Sequence, residues 1–183
     1  MTSHPLIFAI VLCTCIVTLA EPSTAPTEPS DEESLVTNGD FERGVEGWIG
    51  KDNGMSQVKP EAAHRGQLGL RVSDNAADKG SAFGSRLAPA NAGKTYLLRA
   101  WAREMSGSGG AIHIQFFDAS GKQLTKLELK NDIKVKISGG DWRLYTLHGT
   151  APEETAKVRV WIHTLTPSKT IIDVDDVSLF EVK

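Results

Sequence analysis

The chain has 183 residues, with 20 Lys and Arg against 23 Asp and Glu, a formal charge of −3, and 40% of its residues are apolar. That length holds one domain with a real core plus appendages, and a charge so near zero lacks the basic stripe that nucleic-acid binding needs. Two cysteines are too few for a disulfide scaffold.

Residues Leu6 to Leu19 form an apolar run without a charge. It is short for a membrane span, which needs about 20 residues, and suits the core of a signal peptide. Small residues at Thr18 and Ala20 place cleavage after Ala20, so residues 1–20 are expected to be removed and the protein to be secreted or held in the cell envelope. The segment before the run has no Lys or Arg. Lipidation at Cys13 or Cys15 is the rival reading, and Leu12-Cys13-Thr14-Cys15 fits a lipobox poorly. Both cysteines lie here, so the mature chain is expected to have no thiol for a disulfide, a metal or a nucleophile.

Residues 21–34 carry three prolines, five acids, no base and no large apolar side chain. Nothing in them offsets the entropy of ordering, and they read as a disordered acidic linker. The remaining 149 residues hold 20 bases and 18 acids, so the domain at 35–183 is almost neutral.

From Leu35 onward no window keeps a 3.6-residue period. Apolar alternation is broken every eight to twelve residues by Gly, Asn, Asp or Pro. Candidate strands are 35–42, 67–73, 81–87, 94–104, 111–118, 122–129, 132–138, 142–149, 156–164 and 170–182. About ten short strands without a helix predict an all-β, antiparallel β-sandwich.

Parity within three strands is informative. Tyr96, Leu98, Ala100 and Ala102 alternate with Leu97, Arg99, Trp101 and Arg103. Ile112, Ile114 and Phe116 alternate with His113, Gln115 and Phe117; Val158, Val160 and Ile162 alternate with Arg159, Trp161 and His163. Side chains two apart share a face, so each strand has a core face and a face mixing aromatics with Arg, His and Gln. A sugar ring needs such a surface: its C–H bonds pack on an aromatic ring and its hydroxyls bond to planar polar groups. Trp or Arg on a solvent-side face can equally pack beneath a loop. If the three strands are neighbours, Arg99, Trp101, His113, Gln115, Arg159, Trp161 and His163 form one carbohydrate-binding face, with Tyr145 at its margin.

Two segments carry a family resemblance: Leu35-Val36-Thr37-Asn38-Gly39-Asp40-Phe41-Glu42 with Gly47-Trp48, and Ile172-Asp173-Val174-Asp175-Asp176-Val177-Ser178-Leu179. Between them stand His64-Arg65-Gly66, Tyr96, Asp141-Trp142-Arg143 and Thr150-Ala151-Pro152. This ordered set resembles carbohydrate-binding modules of the family 4, 9 and 22 type, galactose-binding-like jelly rolls, over residues 35–183. The resemblance implies a polysaccharide or oligosaccharide partner and core positions for Trp48 and Trp142; a monomer is expected. It also implies a structural Ca2+ held by Glu42 and Asp175, with Asp40 and the 64–66 loop supplying backbone oxygens. Parity puts Asp175 with Val177 and Leu179 on the buried side and Asp176 outside. A buried carboxylate needs a partner, and backbone amides or an arginine would serve as well as calcium.

Catalytic signatures are absent: no His-Glu-x-x-His, Gly-x-Ser-x-Gly or phosphate-binding loop occurs. Glycoside hydrolysis needs two carboxylates across a cleft, and the three strands offer only Glu104 and Asp118, at their ends. The expectation is a non-catalytic carbohydrate-binding module. The alternative is a structural or adhesive envelope sandwich that binds protein.

Overall fold

Apolar alternation becomes strand almost everywhere it was expected. The computed structural model describes residues 33–52, 54–76, 78–126, 130–164 and 169–183. The signal segment and the linker up to residue 32 lie outside the described residues, as do 127–129 of the expected strand 122–129, whose described part forms no strand beyond a single bridge between Gln123 and Phe117. Eleven strands are described: β1 (Trp48–Gly50), β2 (Gln57–Lys59), β3 (Gly69–Ser73), β4 (Ala82–Ser85), β5 (Ala88–Pro89), β6 (Thr95–Ser106), β7 (Gly110–Phe117), β8 (Ile133–Lys136), β9 (Arg143–Thr150), β10 (Lys157–Thr164) and β11 (Ile171–Glu181). No described helix is long and apolar enough to cross a membrane.

The strands make two antiparallel sheets, a jelly-roll sandwich. One runs β1-β4-β10-β7-β8, with β5 also pairing with β10; the other runs β2-β3-β11-β6-β9. The core lies between them. Tyr96, Leu98, Ala100 and Ala102 of β6 and Ile172, Val174 and Leu179 of β11 meet Ile112, Ile114 and Phe116 of β7 and Val158, Val160 and Ile162 of β10. The ring of Tyr96 stands edge-on to Phe116, their centroids 5.4 Å apart.

Three expectations about the strands are corrected. First, β6 is not a neighbour of β7 and β10. It pairs with β11 and β9 in the opposite sheet, so the proposed three-strand face does not exist. Second, residues 35–42 are turns, not strand, because Asn38 and Phe41 both take φ of 53°. The Asn38 side chain organises this segment, donating to Gly44 O and Glu46 O and accepting from Arg43 N. Trp48, 6% exposed, packs on buried Phe41 and donates its indole N–H to Asn38 O, a core position as expected.

Third, β11 carries a bulge. Asp175 is opposite Trp101 and Ser178 opposite Arg99, so two residues of β11 face one of β6, and Asp176 takes φ of 50°. The extra residue reverses parity. Val174 and Val177 both face the core, and Asp175 shares the other face with Asp173 instead of following Val177 and Leu179.

Candidate functional site

Antiparallel register sets the outer face of the first sheet. Ile49 is opposite Gly84, Gly84 opposite Trp161, Trp161 opposite His113 and His113 opposite Lys134. Directly paired residues share a face, so these five form one row across β1, β4, β10, β7 and β8. The adjacent row holds Ala82, His163, Ala111 and Lys136; on the other side Arg159 is opposite Gln115. Ala82, Gly84 and Ala111 leave room where larger residues would fill the face. The result is a cleft of about 590 Å3 lined by His113, Gln115, Arg159, Trp161 and His163.

Each of these side chains is held. Trp161 stacks on His163 with centroids 4.4 Å apart and planes 20° apart, and His113 tilts against Trp161 at 4.9 Å. Arg159 donates Nε–H to Gln115 Oε1 at 2.8 Å and lies 5.1 Å over the Phe117 ring. Gly84 gives the guanidinium its space, since a Cβ there would come within 3.3 Å of Nη1.

His113, 5% exposed, bonds through Nδ1 to Asp132 Oδ1 at 2.9 Å, and Asp132 Oδ2 pairs with Lys134 at 2.9 Å. Burial pulls the pKa of His113 down despite that carboxylate, so the ring is neutral at pH 7. A carboxylate only accepts, so Nδ1 carries the proton and Nε2 is a buried acceptor with no partner. Burial pulls His163 down to about 4, with His113 and Lys134 adding to the shift. Burial raises the Asp132 carboxyl, but the Lys134 and His113 hydrogen bonds outweigh it and the net shift is downward. The site therefore offers a neutral aromatic pair, two fixed amide and guanidinium groups, and a fringe of cations.

The other sequence-predicted residues lie elsewhere. Arg99 and Trp101 are on the outer face of the opposite sheet, where His64 covers Trp101 with centroids 4.0 Å apart and planes 14° apart. Trp142 is not in the core. It is half-buried on that same outer side, with Arg103 4.7 Å over its ring and His64 tilted against it. Tyr145 is opposite Ala100, packs against the core, and its hydroxyl bonds to Ser138 N and O. Sequence reasoning missed Lys51, Lys126, Asp132, Lys134 and Lys136 of the cleft. The alternation of Ile133-Lys134-Val135-Lys136 held a signal, but only knowing that this strand pairs with β7 puts those lysines at the site.

Two acids separate at β11. Asp173, 0% exposed, is bracketed by Arg71 at 2.7 Å and Arg103 at 2.9 Å. Asp175, also 0% exposed, has backbone partners instead: His64 N at 2.7 Å, Arg65 N at 3.2 Å and Asp176 N at 2.8 Å. Burial pushes its pKa up to about 6 despite those three bonds. The same loop is gripped from its other end by Glu42, whose Oε1 accepts from Gln67 N and Leu68 N. Gly66 between them takes φ of 66°, which favours glycine, and a Cβ there would also displace the Glu42 carboxylate. Asp175 is thus a buried carboxylate held by backbone amides, with no cationic side chain among its hydrogen-bond partners. Among the described residues no three His, Cys, Asp or Glu gather as ligands, so most oxygens of a calcium site there would come from backbone. Asp40 is exposed.

A β-sandwich with an aromatic, amide- and guanidinium-lined cleft on one sheet is the architecture of a carbohydrate-binding module. A family model described as a carbohydrate binding domain, of the 4 and 9 type, matches residues 33–169, and the chain belongs to that family. No curated protein matches it. Among solved structures it is similar to a family 16 carbohydrate binding module, with a TM-score of 0.62 and 23% identity over 80% of this chain and 99% of that one. A family 61 module in complex with beta-1,4-galactotriose gives a TM-score of 0.55 and 19% identity over 82% and 100%. The xylan-binding family 22 module of Paenibacillus barcinonensis Xyn10C gives 0.55 and 13% over 79% and 92%. At these identities the likeness is one of fold.

Proposed function

We propose that the cleft on the β1-β4-β10-β7-β8 sheet binds a segment of polysaccharide without cleaving it. The observation that carries this is the row Gly84–Trp161–His113, which sets one indole face beside fixed hydrogen-bonding groups on a floor of small residues. Asp132 is the one carboxylate lining the cleft among the described residues, and Lys134 and His113 already occupy it. Hydrolysis by paired carboxylates has no second acid there. One ring contact worth about 1 kcal/mol plus a few hydrogen bonds gives a micromolar to millimolar affinity, on the order of −4 to −8 kcal/mol. The leader-like residues 1–20 suit action outside the cytoplasm.

A glycan array with the exported chain and its Trp161→Ala variant tests this. Retention on one glycan class is expected, weakened about tenfold by the substitution, the loss of ~1.4 kcal/mol. Trp48→Ala should instead unfold the domain. Absence of binding to every glycan would return the protein to the adhesive-sandwich reading.

Calcium is proposed as a structural ion with Asp175 and Glu42 as its carboxylates and Asp40 contributing through its backbone. When bound it would neutralise Asp175 and fasten the 64–68 loop to β11. Chelation should lower the melting temperature and calcium restore it, by mass action on the folded state. Asp175→Ala should abolish that response and Glu42→Ala weaken it. An unchanged midpoint in metal-stripped protein would remove calcium from the account.

A further inference from the structure

The charge of the cleft is unlike that of the domain around it. Among the described residues, Lys51, Lys126, Lys134, Lys136 and Arg159 line it against the single acid Asp132, whereas residues 35–183 as a whole hold 20 bases and 18 acids. Among the described residues, only Lys134 of these five cations has a carboxylate partner, Asp132 Oδ2 at 2.9 Å.

We propose that the cleft selects an acidic polysaccharide, its uronate carboxylates pairing with Arg159 at the centre and with the lysines at both ends. This rests on the reading of the cleft as a glycan site and names the class of glycan.

The geometry spreads the cations along one path. Lys51 follows β1 at one edge of the sheet, Lys134 and Lys136 lie on β8 at the other, and Arg159 lies on the middle strand β10. Crossing five strands spans about 19 Å at ~4.8 Å per strand, so one extended ligand meets positive charge at its start, middle and end. Lys51, Lys126 and Lys136 are exposed and keep their hydration without a ligand.

Arg159 is different. It is half-buried beside Gly84 and oriented by Gln115, with no carboxylate partner among the described residues. Burial lowers its pKa, and its partners, the Gln115 amide oxygen and the Phe117 ring, carry no full negative charge. An arriving carboxylate would therefore offset more of its desolvation than a neutral group. A neutral sugar would leave more of that cost in place. The planar guanidinium fork matches a carboxylate with two parallel N–H···O bonds, which favours uronate over the tetrahedral sulfate ester. Among the described lining residues only Trp161 offers a large aromatic platform, so charge has to carry much of the selectivity.

Affinity gels and titration calorimetry with polygalacturonate and alginate decide the matter. Each is compared with itself after carbodiimide-mediated reduction of its carboxylates to alcohols, and dextran sulfate and a single-stranded DNA oligonucleotide serve as other polyanions. Binding to at least one uronate polymer is expected, with the reduced form weaker by about tenfold or more. Raising salt from about 0.05 to about 0.5 M should weaken the complex, because most of these charges are exposed. Lys134→Gln with Lys136→Gln should cost about tenfold, Lys51→Gln a smaller factor, and Trp161→Ala should weaken the same complex. The Lys51 variant, at an exposed position, answers the question if the double variant fails to fold.

Equal binding of acidic and reduced polymers overturns the acidic selection and leaves the glycan reading intact. Preference for dextran sulfate over both uronates overturns the carboxylate assignment. Equal retention of the oligonucleotide, or insensitivity to Trp161→Ala, shows unspecific charge attraction and overturns the proposal. Retention of no polymer, acidic or reduced, overturns this inference and counts against the glycan reading as well.

Discussion

Two aspartates two positions apart show how burial acts on single residues. Asp173 and Asp175 both reach 0% exposure, yet one faces two guanidinium groups and the other only amide hydrogens. Removing Asp173 leaves the partly buried guanidinium groups of Arg71 and Arg103 without their carboxylate. Asp173→Ala should therefore cost about 3 kcal/mol of unfolding free energy, the usual loss on breaking a buried pair, seen as a lower urea midpoint. A loss below ~1 kcal/mol would mean that water replaces the pair. His163 makes a second case. Its folded-state pKa of about 4 lies below the ordinary 6.5, so the unfolded chain takes up a proton first. The stability this gives is full above pH 6.5 and is lost as pH falls towards 4. Buried His113 acts in the same sense. His163→Gln should flatten part of the acid limb of a stability–pH curve, and an unchanged limb would show that the ring is solvated. The polar half of the site was legible at this scale: alternation alone marked His113, Gln115, Arg159, Trp161 and His163. Nothing at this scale could show that Asp173 stands between two arginines 70 and 102 positions away.

At the scale of strands, pairing decides what parity cannot. Every strand of a sandwich has a core face and an outer face, so β6, β7 and β10 look alike in sequence though β6 belongs to the other sheet. The turn through Gly107 and Gly109, both at positive φ, carries the chain across. The bulge at Asp176 was equally hidden, because an inserted residue changes parity without changing composition. β4 is the element whose smallness matters. Gly84 takes ordinary extended backbone and its nearest neighbour is the flexible end of Arg159, so a larger residue is tolerated by the fold. Its side chain would stand beside Trp161 in the cleft. Gly84→Leu is expected to abolish glycan retention while leaving the thermal midpoint within a few degrees. Retained binding at wild-type strength would place the ligand away from the β4–β10 row.

The whole module is closed by its own first residues. Ser34 Oγ accepts from Val36 N and Leu179 N, Leu35 N donates to Leu179 O, and Val177 N donates to Gly39 O. The segment before Phe41 is thus a backbone partner for β11 at the bulge and just after it, and Val36 enters the core. Ser34, assigned to the linker on composition, belongs to the domain by its hydrogen bonds. The cleft lies on the other sheet, so closure and binding should separate under truncation. A chain begun at Glu33 should melt with one begun at Glu21, because residues 21–32 have no large apolar side chain to bury. A chain begun at Thr37 loses Leu35, Val36 and three backbone or hydroxyl bonds. It should be less stable by about 3 kcal/mol, on the scale of one to two buried aliphatic side chains. At a temperature where it is still folded its glycan affinity should equal that of the longer chains, since none of the deleted residues lines the cleft. Equal stability of all three would mean that the first turn merely rests on β11. A matching fall in affinity would mean instead that the two sheets are coupled more tightly than the separate positions of closure and cleft imply.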